Sequence, residues 1–274
     1  MRFIFIKDSL ARFLFIAITT VLCLSSCSFL KRNVIEKYED KQIVTKGYEY
    51  INKDDYIDHL AYLEKAYLNT PGVEIVNIKK EDLDYLQSIF KRVARNNELL
   101  VKENVIPNIY IIKNNTPFYF SLPKGTIFLS LGLFQKHISN EGDLVSVLSF
   151  EFLKSYNNVY EANMIIPKGF ISTERLISLT RVSLTEKLKI NNWMYYILKR
   201  SGYDPYIYLT WIQQINKKTL DFAPLLGDLK DITREEIEYK NLLIGKGLEN
   251  RLTNIKTNSS RDYYRFIYDI KKIE

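Results

Sequence analysis

The sequence has few of the residues that metal and thiol sites need. Its 274 residues include only two histidines, His59 and His137, and two cysteines, Cys23 and Cys27. A zinc ribbon or a framework of several disulfides is therefore excluded, and a site with two histidines would have to use both of them. The sequence also lacks a G-x-S-x-G elbow and the glycine-lysine spacing of a phosphate loop. An active site built on two carboxylates is compatible with the sequence, but no spacing singles out one pair among the 32 acidic residues.

The charge distribution argues against a nucleic-acid partner. The net charge of +7 comes from 39 basic and 32 acidic residues that are mixed along the chain. Such a mixture favours at most a mild attraction to anionic lipid. Hydrophobic residues make up 46% of the chain, which is typical of a globular protein, and the 14% of aromatic residues are interpreted as packing.

The N-terminus has the pattern of a targeting segment. Arg2, Lys7 and Arg12 precede an apolar run at 13–24, which is shorter than the about 20 residues of a comfortable transmembrane helix. The run ends in Leu24-Ser25-Ser26-Cys27, which resembles the lipobox of bacterial lipoproteins. The resemblance implies cleavage before Cys27 and acylation of its thiol with chains such as palmitate. The alternative is an uncleaved membrane anchor.

The lipobox divides the chain into three predicted parts: a signal peptide at 1–26, a polar tether at 27–54 and a folded domain at 55–274. Cys23 would leave with the signal peptide and Cys27 would be acylated, so the mature protein would have no free thiol. Several acyl chains would anchor it durably in the lipid bilayer. Ser28 follows the cysteine where an aspartate favours the inner membrane, so we expect the outer membrane, facing the periplasm.

Hydrophobic periodicity predicts an α+β domain that is mostly helical, with a small central sheet. Asn140 and Asp143 predict a capped helix start. The predicted strands are 109–112, 118–120 and 126–131. The predicted helices lie at about 55–70, 83–95, 140–154, 172–188, 191–199, 205–217 and 233–243.

One part of this pattern resembles a known family. The pieces occur in order: Tyr119-Phe120-Ser121-Leu122-Pro123-Lys124-Gly125, Gly132-Leu133, Asn140-Glu141-Gly142-Asp143-Leu144, Val147-Leu148 and Ser201-Gly202-Tyr203-Asp204-Pro205. They resemble the zinc metallopeptidases of the HtpX and BepA type, family 48 of the metallopeptidases. The resemblance covers roughly residues 55–255 and implies a zincin-like metallopeptidase fold.

The same resemblance indicates that the metal site is lost. In the family, one helix carries HExxH, whose two histidines bind zinc while the glutamate is the general base. These positions fall on Phe150, Glu151 and Lys154. The third ligand, a glutamate on a later helix, falls on Lys187, and a slip of one residue would substitute Glu186. Neither phenylalanine nor lysine can replace a zinc-binding histidine, so we expect no zinc and no other cofactor.

Two further observations bear on this loss. The family's His-Pro step falls on Gly245-Lys246 when its ExR pattern is matched to 249–251, again without histidine. An improvised site from His137, Glu151 and Glu186 is a minor alternative. Glu151 and Lys154 could form an ordinary i, i+3 ion pair. Together with Lys187 they could instead replace the charge of the metal, with Glu151, Lys154, Glu186 and Lys187 as the possible cleft residues.

These features predict an envelope lipoprotein whose metallopeptidase-like domain has lost proteolytic activity and acts as a binding or quality-control accessory. The expected partner is an envelope protein or peptide that adds a strand to an open sheet edge at 118–122 or 126–131. Two alternatives stay open. One is a divergent zinc metalloendopeptidase with Glu151 as base, and the other is a passive structural lipoprotein.

Overall fold

The computed structural model describes residues 53–101, 105–161, 169–248 and 259–273, which belong to one unit that begins at Lys53. The predictions of a signal peptide, of acylation at Cys27 and of a tether fall almost wholly outside the described residues, as does the matched pattern at 249–251. No helix in the described ranges is long and apolar enough to cross a bilayer.

Helices and a small sheet make up the described chain, so the α+β prediction is confirmed at that level. The strands are β1 Asn108–Ile112, β2 Tyr119–Leu122 and β3 Thr126–Ser130. The helices are α1 Lys53–Leu68, α2 Lys80–Arg95, α3 Leu131–Lys136, α4 Glu141–Tyr156, α5 Thr173–Thr180, α6 Leu184–Arg200, α7 Tyr206–Lys217, α8 Leu229–Gly245 and α9 Arg261–Lys271.

The sheet has the order β1-β3-β2, with β3 parallel to β1 and antiparallel to β2. The expectation that 126–131 could offer an open edge is therefore wrong, because β3 is bonded on both sides. A tight turn explains this placement. Lys124 and Gly125 both have positive φ, at 66° and 86°, and they fold β3 directly back onto β2. Only β2 and β1 lie at the edges of this sheet.

Helix α4 begins as its sequence predicts. The Asn140 side chain accepts a hydrogen bond from the backbone N–H of Asp143, and the Asp143 carboxylate accepts one from the N–H of Asn140. This reciprocal capping box satisfies donors that the first helical turn leaves free. Leu148 and Phe152 on α4 are fully buried. The helix thus runs through the centre of the domain, beside the sheet.

After α4 the structure has two helices, as predicted, but the boundary between them lies near Arg181 and not near residue 190. The expected helix at 172–188 ends at Thr180, and α6 continues without a break through the gap expected near 190. The Thr180 hydroxyl donates back to the carbonyl of Leu176, and Arg181 is extended, with its guanidinium bonded to the carbonyl of Pro224. Side-chain bonds of this kind compete with continuation of the helix, and periodicity does not report them.

Two helices were not predicted, α3 and α9. Helix α9 is attached to the domain through Glu141, whose carboxylate accepts hydrogen bonds from the backbone N–H and hydroxyl of Ser260 and from the hydroxyl of Tyr85. Tyr263, Phe266 and Ile270 on one face of this helix are buried in the main core. Helix α3 begins at Leu131, directly after β3, and its second residue is Gly132. A Cβ there would lie 2.3 Å from the carbonyl oxygen of Asn115, so this close approach requires glycine.

Candidate functional site

A cavity lies where α4, α5, α6, α7 and α8 meet the edge strand β2. Its volume is about 80 Å³, which is room for several water molecules because one needs only about 10 to 15 Å³. Most of its wall is apolar or aromatic, and its polar groups come from all six of these elements and from the connection between α5 and α6. A concave apolar site with a few converging polar groups is the usual form of a ligand-binding site.

Helix α4 contributes Phe150, Glu151 and Lys154 to this cavity. The ammonium nitrogen of Lys154 lies 2.6 Å from Oε2 of Glu151, and the two side chains are only 5% and 2% exposed. The half-buried ring of Phe150 stacks on the ring of Tyr208 from α7. The spacing of one helical turn explains why both ends of the ion pair reach the same cavity. The expected i, i+3 ion pair between Glu151 and Lys154 therefore forms, and it is buried.

A second buried polar cluster joins α6, α7 and α8. Nζ of Lys187 lies 3.4 Å from Oε2 of Glu235, whose Oε1 accepts hydrogen bonds from the amide of Asn191 and the hydroxyl of Tyr208. The Tyr208 hydroxyl also lies 2.8 Å from Oδ1 of Asn191. Burial and the neighbouring Glu235 carboxylate raise the pKa of Tyr208 well above its ordinary value, which keeps the hydroxyl neutral. The cluster thereby connects three helices through the carboxylate of Glu235.

The strand β2 is joined to α4 by Ser155. Its hydroxyl donates to the carbonyl of Leu122 at 2.5 Å and accepts from the N–H of Gly125 at 2.8 Å. Tyr119 and Phe120 of the same strand line the cavity. The indole nitrogen of Trp211 donates to the Tyr119 hydroxyl at 3.4 Å. These bonds fix the position of the strand relative to the ion pair on α4.

The outer edge of β2 is only partly free. The N–H of Ser130 donates to the carbonyl of Phe118, so the alternation of antiparallel bonds directs the backbone groups of Tyr119 and Ser121 away from β3. The carbonyl of Ser121 accepts a hydrogen bond from the hydroxyl of Tyr160. Tyr160 therefore closes one end of the edge, and no described residue bonds the outward backbone groups of Tyr119.

The structure brings together four of the positions that the family resemblance singles out: Phe150, Glu151, Lys154 and Lys187 all line the cavity. It does not bring Glu186 there. The carboxylate of Glu186 forms an exposed pair with Lys189 at 2.5 Å, so the slip of one residue is not what the helix adopts. Helix α6 is continuous from Leu184 to Arg200, and Lys187 lies one turn before its buried residues Ile190 and Asn191. Lys187 is therefore on the inner face of the helix.

The remaining candidates lie elsewhere. Lys246, at the expected His-Pro step, is exposed and bonded to the hydroxyl of Tyr196. His59 is on α1, and His137 packs on the ring of Phe222, so neither lines the cavity. The improvised combination of His137, Glu151 and Glu186 is therefore not formed. Among the described residues, no group of three or more His, Cys, Asp or Glu side chains is arranged to hold a metal ion.

Acid will destabilise the fold through His137. Burial, with Lys218 and Lys136 nearby, lowers the pKa of this imidazole, against the weaker opposing effect of Asp221. A histidine whose pKa is lower in the folded state costs stability once the unfolded chain takes up its proton, below about pH 6.5. We expect the melting temperature to fall between pH 7 and pH 5.5, and to fall less in His137→Phe.

Calorimetry of the two proteins at both pH values tests this expectation. His59, whose pKa is also lowered by burial, is unchanged in the variant, so its contribution cancels in the comparison. An equal fall of melting temperature in both proteins would show that His137 is not responsible.

Sequence reasoning missed three polar residues of this cavity: Arg181, Tyr208 and Glu235. For Glu235 a signal existed. Ile232, Glu235, Tyr239 and Leu243 form the buried face of α8, and a carboxylate on an otherwise apolar stripe is unusual. Tyr208 and Arg181 gave no comparable signal, because their roles depend on partners that are distant in sequence.

Two comparisons with known proteins returned no match. No family model matches the chain, and no curated protein has significant sequence similarity to it.

Proposed function

We propose that this protein is a metallopeptidase-like binding protein of the bacterial envelope. In this proposal it is anchored by an acylated Cys27 and has lost zinc and proteolysis. It would hold extended segments of envelope proteins in the cavity beside β2. One observation carries the proposal. The residues at the inferred ligand and base positions, Phe150, Glu151, Lys154 and Lys187, come from two helices and meet in one cavity.

The electrostatics of the cavity support the loss of zinc. Two of the inferred ligand positions hold ammonium groups, and each is paired with a carboxylate, Lys154 with Glu151 and Lys187 with Glu235. An ammonium beside a carboxylate supplies the positive charge that a metal would otherwise supply, and it occupies the carboxylate oxygen. The ion pairs would thus preserve the cavity and remove its Lewis acid.

The position of β2 supports a binding role. The backbone N–H and C=O of Tyr119 face away from β3, next to the cavity. An extended segment can form main-chain hydrogen bonds with such an edge, and a neighbouring cavity can receive its side chain. This kind of recognition needs no metal.

The test uses the mature chain with Cys27→Ser, which removes the lipid, and fluorescein-labelled casein as an unfolded probe. We expect anisotropy to report casein binding that a chelator does not change, no cleavage, and less than a tenth of a zinc ion per chain. Stoichiometric zinc with chelator-sensitive cleavage would instead establish the divergent peptidase. Absence of casein binding would favour the passive lipoprotein.

A further inference from the structure

Arg181 is a cation of the cavity that forms no ion pair with any carboxylate in the part of the chain that the structure describes. It lies at the break between α5 and α6, half-buried, and lines the cavity with Thr180 and Val182. Its Nη2 donates to the carbonyl of Pro224 at 2.8 Å, and its buried Nε has no hydrogen-bond partner among the described residues. A guanidinium carries five N–H donors, so Arg181 keeps donors that no acceptor among the described residues uses.

The charges of the cavity sum to one excess positive charge. Lys154 and Lys187 are each paired with a carboxylate, as described above, whereas no carboxylate of the described chain lies within ion-pair distance of Arg181. Guanidinium groups bind carboxylates through parallel N–H donors, which gives both affinity and orientation. A ligand with a single carboxylate therefore fits the charge of this site.

The walls near Arg181 define the rest of the ligand. Ile177, Val182, Trp211 and Ile212 present a buried apolar surface to the same cavity. A group attached to the carboxylate would have to be apolar and about the size of one side chain, given the volume of about 80 Å³. A free acid with an apolar body and the last residue of a peptide both have this chemistry.

The edge of β2 favours the peptide. Tyr160 closes this edge at Ser121, so the backbone groups that stay open with respect to the described residues are those of Tyr119. A short edge of this kind can bond the end of a chain, but it leaves few partners for a long strand. We infer that the cavity binds the free C-terminal carboxylate of an extended peptide whose last side chain is apolar, with Arg181 as the carboxylate receptor. This inference rests on the proposed peptide-binding function and specifies its ligand.

The experiment compares two ligands that differ in one group, N-acetyl-Ala-Ala-Leu with a free carboxylate and the same peptide with a C-terminal amide. Calorimetric titration of the protein with its cavity residues unsubstituted should show that the acid binds at least tenfold more tightly than the amide. This comparison needs no variant, so it is independent of any effect of a substitution on folding. Equal affinities, or binding of neither peptide, would overturn the inference.

Variants then assign the receptor. Arg181→Gln should remove the preference for the acid, whereas Arg175→Gln, a matched change at an exposed arginine of α5, should keep it. Retention of the preference in a folded Arg181→Gln protein would overturn the role of Arg181. 4-Methylpentanoate, a free acid with a leucine-sized apolar group, is the third arm. Tight binding of this acid with no binding of the peptide acid would assign the site to free acids and overturn the peptide ligand.

These outcomes are separable from the failure of the proposed function. If casein binds and the acid and amide bind equally, the C-terminal inference fails while peptide binding stands. If the protein contains zinc and cleaves casein, the proposed loss of activity fails, whatever the peptide titrations show.

Discussion

Replacing Lys154 with methionine will lower the free energy of unfolding by about 3 to 5 kcal/mol. The substitution keeps the length of the side chain but leaves the Glu151 carboxylate, which is 2% exposed, without its ammonium partner. Removing one member of a buried ion pair is costly because the other charge stays desolvated. Urea denaturation followed by circular dichroism measures the change, with the slope of the transition as a check that the unfolded state is unaltered.

The chain contains a matched control for this prediction. Lys189 and Glu186 on α6 are also an i, i+3 lysine–glutamate pair, but their side chains are 57% and 29% exposed. Lys189→Met should therefore cost less than about 1 kcal/mol. Similar losses in Lys154→Met and Lys189→Met would contradict the claim that burial makes the first pair costly to break.

The double variant Glu151→Leu/Lys154→Met tests whether the loss in Lys154→Met comes from the unpaired charge of Glu151. Replacement of both members by apolar side chains removes the unpaired charge, and such replacements are often neutral or stabilising. We expect the double variant to recover most of the stability that Lys154→Met loses. A loss close to the sum of the two single losses would mean that the residues do not act as a pair.

Three substitutions will give the protein a zinc site: Phe150→His, Lys154→His and Lys187→Glu. They place two histidines one turn apart on α4 and a carboxylate on α6, at positions that line one cavity. We expect one zinc ion per chain with a dissociation constant of about 1 μM or lower, equivalent to about 8 kcal/mol of binding free energy. Zinc would also replace the ammonium as the counter-charge of Glu151.

Competition with a chromophoric chelator measures this affinity. The control is Phe150→His/Lys154→Ala/Lys187→Glu, which lacks one ligand and should bind zinc at least tenfold more weakly. If the triple variant unfolds cooperatively but binds no zinc at millimolar concentration, the cavity does not have metallopeptidase-like geometry. The proposed origin of the site would then be wrong.

Local patterns predicted what depends on neighbours in sequence. The capping box of Asn140 and Asp143 forms as expected, because its two bonds join residues three apart. Gly202 follows α6 with a positive φ, a conformation that glycine adopts without strain at the end of a helix. Helix α9 and the break at Arg181 were not predictable in this way, since they depend on bonds that Ser260 donates to Glu141 and Arg181 donates to Pro224.

The sequence by itself determined which side chains are present to form a metal site. With two histidines that lie on different elements, and with Phe150 and Lys154 one turn apart on a capped helix, it already limited metal chemistry. The tertiary structure decided that Lys154 is buried against Glu151, that Lys187 meets Glu235, and that no described residue accepts a hydrogen bond from Nε of Arg181. Helical periodicity sets which residues share a face, but the charge that a face meets comes from helices far away in sequence. Only packing brings those charges together.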